Sequence, residues 1–194
     1  MTQPIFKSIF GKVWDKMPEV MHKHYANRPF SDEKFTAKGH LDINFKWYLK
    51  PIIYISGILP PYIEKSVPVT VDFISKKNSN AFCLNRTFYF KGKKPFNFHS
   101  KLLPVKNSEV MEILKYGLAW HCNYLWQNNK VILKHKGYSL RVFGRNISLP
   151  ITWLLGNIEA EESVISEDEF SMFVKMTHPI FGKIYEYKGQ FRII

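Results

Sequence analysis

Apolar residues along this chain repeat at two different spacings. Between Ile5 and Tyr25 they recur at helical intervals, through Ile5, Phe6, Ile9, Phe10, Val13, Trp14 and Met17. The run Asp15-Lys16-Met17-Pro18 interrupts that pattern, which predicts two short helices. The second has Pro18 near its first turn, continues through Val20, Met21 and Tyr25, and ends at Asn27-Arg28-Pro29. From Phe35 the spacing falls to two. Phe35, Ala37, Gly39, Leu41, Ile43 and Phe45 share one face of a strand. A further helix starts near Pro51 and stops at Gly57 and Pro60-Pro61.

The rest of the chain reads as β structure almost to its end. Strands are predicted over 67–74, 81–90, 96–103, 109–116, 118–127, 131–135 and 138–143, with turn residues between them. Leu149-Pro150 leads into a short helical turn through Trp153-Leu154-Leu155. Strands near 157–165, 170–177 and 182–193 follow. Gly182 suits a turn into the last strand, and Gly189 suits a bulge or a close backbone approach within it. Short, regularly spaced strands predict a mostly β (α+β) fold. The expected form is a curved antiparallel sheet or half-barrel with an N-terminal helical segment and one further helix packed on it. No repeat, linker or composition shift divides residues 1–194, so a single domain is expected.

Two charged residues break this pattern. Phe82, Leu84, Arg86, Phe88 and Phe90 share a strand face, as do Val110, Glu112, Leu114 and Tyr116. Removing a guanidinium or a carboxylate from water costs several kcal/mol unless it is paired. The economical expectation is that Arg86 and Glu112 meet inside the sheet, with Ser100 adding a hydroxyl. Such a pair either fixes strand register or anchors a ligand in an apolar cavity, and periodicity leaves both open.

Composition adds to this picture. Phe supplies 16 residues and aromatic side chains 16% of the chain, enough to fill a thick core or to line an apolar cavity. The net charge of +12 raises the chance of an anionic partner, but lysines dispersed along the chain to protect strand edges are the cheaper explanation. Cys83 and Cys122 sit in aromatic stretches and read as core thiols, so a reducing, cytoplasmic setting is expected. The N-terminus lacks the pattern of a signal peptide. The seven histidines show no metal-ligand spacing, and neither metal nor cofactor is expected. His121 lies beside Trp120 and Cys122, but adjacent strand residues face opposite ways, so no thiol–imidazole pair forms there. The acidic run Glu159-Ala160-Glu161-Glu162 reads as a solvated turn face. Phe88, Phe90, Lys91, Lys93 and Phe96 superficially match a nucleic-acid stacking platform, but a strand interior closed by a basic turn explains them better. No nucleic-acid partner is expected.

Several of these residues also carry a resemblance. Met17-Pro18 with His22, Lys38-Gly39, Leu59-Pro60, Arg86-Thr87-Phe88, and Phe98-His99-Ser100 occur in order. Glu112 with Gly117, Gly144 with Leu149-Pro150, and Pro179-Ile180-Phe181-Gly182 with Tyr187-Lys188-Gly189 follow. Over nearly its whole length the chain resembles the bacterial domain of unknown function 4166 family. The resemblance implies an association with reductases similar to saccharopine dehydrogenase, to which the family's domain is sometimes fused. This chain has no dinucleotide fingerprint, so such a reductase would be a separate polypeptide. Arg86, Ser100 and Glu112 coincide with the family's motif positions. Lys38 stands where the family commonly has arginine, and Asn85 also departs from its pattern.

Together these features lead to an expected function of non-catalytic binding of a small, largely apolar, lipid-like or acyl-like anionic ligand inside the sheet. Arg86 would engage the head group, with Glu112 and Ser100 orienting it. Two alternatives are a small enzyme using Glu112 as general acid or base, and a peripheral anion- or membrane-surface binder driven by net charge. Pairing with Arg86 would compete with the acid–base role.

Overall fold

A computed structural model of the chain describes residues 2–194. The N-terminal segment forms helix α1 (Lys7–Phe10), a 3-10 turn (Gly11–Lys16) and helix α2 (Glu19–His24), with Pro18 as the extended residue before α2. The wall consists of β1 (Lys34–Phe45), β2 (Glu64–Lys76), β3 (Ser79–Phe88), β4 (Phe96–Lys106), β5 (Glu109–Ile113), β6 (Leu118–Gln127) and β7 (Lys130–Val142). It continues with β8 (Arg145–Leu149), β9 (Asn157–Val164), β10 (Glu169–His178) and β11 (Gly182–Ile193). Helix α3 (Lys50–Ser56) lies between β1 and β2, and α4 (Thr152–Leu155) lies between β8 and β9. Gly57 ends α3 with φ of 59°, a left-handed conformation that glycine adopts without Cβ strain.

Neighbouring strands are antiparallel, in the order β6-β5-β4-β3-β2-β1-β11-β10-β9-β7, and β7 pairs back onto β6. The sheet is therefore a closed ten-stranded barrel rather than an open half-barrel. Closure leaves none of the ten with an unpaired edge, which an open sheet cannot achieve. β7 makes closure possible by serving two neighbours on one side. Lys130 to Lys134 pair with β9, while Tyr138 to Val142 pair with β8, so the β7–β8 hairpin overhangs one end of the barrel.

Most strand ends shift by a few residues from the sequence expectation, β3 ending at Phe88 and not at 90, and three differences go further. Lys130–Val142 form one strand where two were expected over 131–135 and 138–143, because the break at Lys136-Gly137 is a bulge opposite His121 and Cys122. β8 was not expected, since its residues are exposed or half-buried and show no apolar alternation. β5 stops at Ile113, and Tyr116 sits in a tight turn at φ of 61° with its ring exposed.

Gly189 settles as a close backbone approach. A Cβ there would lie 1.8 Å from the carbonyl oxygen of His40, and one at Gly39 would lie 2.0 Å from that of Gln190. β1 and β11 are thus in contact where neither residue has room for a side chain.

Barrels of about eight strands are just wide enough for side chains to fill. A ten-stranded wall needs more filling, and large rings and the N-terminal helices supply it. Phe6, Phe10, Val20, Met21 and Tyr25 are buried and close one end, with Phe6 packing on Tyr25, Phe82 and Tyr124. Buried Asn27 ties this plug down by donating to the Phe73 and Glu33 carbonyls and the Ser75 hydroxyl. Cys83 and Cys122 are free and buried. Among the described residues no helix is long and apolar enough to cross a membrane.

Candidate functional site

The inward rows of β3, β4 and β5 bring all three expected site residues together. Leu84 is opposite Ser100, Arg86 opposite Phe98, and Leu102 opposite Glu112, which places the three polar side chains on a diagonal across adjacent strands. Arg86 Nη1 donates to Ser100 Oγ at 3.0 Å, and Nη2 to Glu112 Oε1 at 3.2 Å. The guanidinium also lies over the Phe98 ring, 4.8 Å from its centroid. Burial is the largest single influence and opposes the arginine's charge, but the charge and hydrogen bond of Glu112, together with the nearby Tyr187 and Tyr124, leave its pKa above the ordinary value.

A second polar group faces it from the plugged end. The Tyr25 hydroxyl donates to Glu162 Oε2, and His24 Nε2 lies 3.4 Å from the same oxygen. The His24 ring sits between Phe73 and Phe170, each centroid 4.6 Å away. Burial pushes its pKa down and the charge of Arg86 adds to that, against an opposing pull from Glu162. His24 is therefore neutral, and its Nδ1 has no partner among the described residues.

Glu162 corrects the reading of the acidic run as a solvated turn. It is 5% exposed and lies inside the barrel. Only Glu159 and Glu161 point outward, where they pair with Lys175 and Lys130. The signal was present, because Ile158, Ala160, Glu162 and Val164 form an alternating row that the local density of acids obscured.

Between the two groups lies a cavity of about 90 Å³. Leu41, Val71, Phe82 and Trp120 give it apolar walls, and Arg86, Glu112, His24 and Glu162 open onto it. Ser100 does not line it and instead supports the guanidinium from behind. Tyr124 and Tyr187 do line it. Neither hydroxyl has a hydrogen-bond partner among the described residues. Burial raises both phenol pKa values, that of Tyr187 to about 12, so both remain protonated donors. Arg86 is the single full cation among the described walls.

Another polar chain runs along the outside of the barrel and was missed from sequence. Glu109 Oε1 lies 3.0 Å from His121 Nδ1, and His121 Nε2 lies 2.8 Å from Ser139 Oγ. Lys136 also pairs with Glu109. The order resembles a hydrolase relay, but Ser139 is only 3% exposed, so its hydroxyl is sealed from a substrate. The partners of His121 come from β5 and β7, which local sequence could not reveal.

The interior can therefore hold a small molecule with an apolar body and offer it one guanidinium and two uncommitted phenol donors.

No curated protein matches the chain. Among solved structures, Rv2717c from M. tuberculosis aligns with 13% identity and a TM-score of 0.46, covering 81% of this chain and 89% of that one. The model of the family described as "Domain of unknown function (DUF4166)" matches residues 17–191, nearly the whole length, and the chain belongs to that family.

Proposed function

We propose that the barrel binds a small amphipathic molecule, acyl-like in its body, with a carboxylate or carbonyl oxygen directed at Arg86, Tyr124 and Tyr187. The observation that carries this reading is the pair of phenol donors that face a cavity without an acceptor. Polar groups in an interior are normally hydrogen-bonded, and these two hydroxyls, which unlike His24 Nδ1 are not sealed from the cavity, can take a ligand oxygen or a water as partner. Arg86 supplies the charge, while Ser100 and Glu112 hold its planar fork in place.

Size narrows the ligand. About 90 Å³ is room for roughly half a dozen waters or a short chain. A longer lipid tail enters only if interior rings or the N-terminal plug move aside.

Native mass spectrometry of protein purified from cells, followed by titration with hexanoate and with hexanol, tests the reading. The expected result is hexanoate binding in preference to hexanol. Tyr124→Phe combined with Tyr187→Phe should weaken it about 10-fold or more, the cost of hydrogen bonds to a charged group. Absence of a co-purified molecule together with no hexanoate binding would refute it.

A further inference from the structure

The two ends of the barrel differ in chemistry. In an antiparallel meander, alternate connections come out at the same end. One end carries the N-terminal helices. The other collects residues 46–63 between β1 and β2, 89–95 between β3 and β4, and 114–117 between β5 and β6. The overhanging segment 143–156 and the turn 179–181 join them there.

Every one of these connections exposes an aromatic ring. Trp47 is 81% exposed, and Tyr54 and Ile55 stand out from α3 beside it, the latter 80% exposed. Tyr89 and Tyr116 mark the next two tips, and Phe143, Trp153 and Phe181 mark the remaining ones. Large exposed apolar patches on a soluble fold indicate a contact surface. Phe143 and Tyr116 sharpen the point, because both rings occupy left-handed backbone, at φ of 47° and 61°. Asn or Gly is favoured there and a bulky residue is strained, so exposing these rings costs the fold stability.

Charge selects the partner. The same connections carry Lys46 and Lys50, then Lys91, Lys93 and Lys94, then Lys115 and Arg145, and no Asp or Glu. All are exposed, and none forms an ion pair among the described residues. At the opposite end Asp15, Glu19, Asp32, Glu33, Glu167 and Asp168 balance Lys7, Lys12, Lys16, Lys23, Arg28 and Lys77, so the segments there are about neutral. Net charge is thus concentrated on the ring-bearing end.

We infer that this end docks on an anionic lipid bilayer surface, with the tip rings at headgroup depth and the lysines and Arg145 on the lipid phosphates. Rings on every connection at one end suit an extended surface better than a groove or a peptide. Interleaved aromatic and basic residues are the combination that interfacial binding uses. The inference is independent of what the cavity holds.

The test is co-sedimentation with vesicles of equal parts phosphatidylcholine and phosphatidylglycerol, with pure phosphatidylcholine as reference. Binding is expected only to the anionic vesicles and should fall steeply with salt. Trp47→Ser with Ile55→Ser should weaken it about 10-fold, and Lys50→Gln with Lys93→Gln and Lys94→Gln about 100-fold at low salt, at about 1 kcal/mol for each lysine. Lys12→Gln with Lys16→Gln and Lys76→Gln removes three charges from the other end and should leave binding within about twofold. No binding to anionic vesicles at low salt would overturn the inference. So would equal losses from the two lysine sets, which would make net charge, and not this face, the cause. Neither result bears on hexanoate binding, which is measured without vesicles.

Discussion

Replacing Arg86 with Met leaves the Glu112 carboxylate without its cation. The two side chains are 10% and 12% exposed and lie 3.2 Å apart. At an effective dielectric constant near 20 their attraction is about 5 kcal/mol. Desolvation of two ions costs several kcal/mol each, so the intact pair contributes little net stability. Losing one member is different, because the cost of burying the other remains. Arg86→Met should therefore destabilise the protein by about 3–5 kcal/mol. For a chain of this length that is roughly 10–15 °C in Tm. Arg86→Met combined with Glu112→Leu removes both charges and should recover most of the loss, to within about 1–2 kcal/mol of the parent. Urea unfolding monitored by tryptophan fluorescence measures both variants. A single-variant cost below about 1 kcal/mol would mean that the charges are well hydrated and would refute the low-dielectric interior on which the site rests.

Other outcomes follow from the same interior. Tyr124→Phe and Tyr187→Phe remove hydroxyls with no protein partner, so each should change unfolding free energy by less than about 1 kcal/mol; a larger loss would reveal an internal acceptor. His24 is held neutral by burial, whereas the unfolded chain takes up a proton below about pH 6.5. Stability should therefore be unaffected by this group above that pH and fall below it, by up to about 1.4 kcal/mol per pH unit, and His24→Leu should flatten that slope in pH-dependent melts. Gly189→Ala would place a Cβ against the His40 carbonyl and should cost about 3 kcal/mol or more, or prevent folding, as read by circular dichroism. Ser139 should resist labelling by a fluorophosphonate in the native protein, and fast labelling would show that the outer relay is open to substrates.

The paired charges at Arg86 and Glu112 were legible because period-two alternation needs no knowledge of which strands pair: a charge in a row of Phe and Leu must face inward. The same rule would have identified Glu162, but three acids within four residues outweighed the alternation. Tyr124 and Tyr187 carried no such signal, since a tyrosine in an apolar row is ordinary, and only the third dimension shows that their hydroxyls lack acceptors. Residues 131–143 were divided because a bulge and a turn place the same Lys-Gly in sequence, and pairing partners alone distinguish them.

By itself the sequence determined where the helices break, which face of most strands is buried and which charges must meet inside, because these depend on local periodicity and on the cost of burying charge. Tertiary structure decided the rest. Barrel closure depends on β7 reaching both β6 and β9, a pairing between residues far apart in the chain. The gathering of exposed rings and lysines at one end depends on connections that only the meander brings side by side.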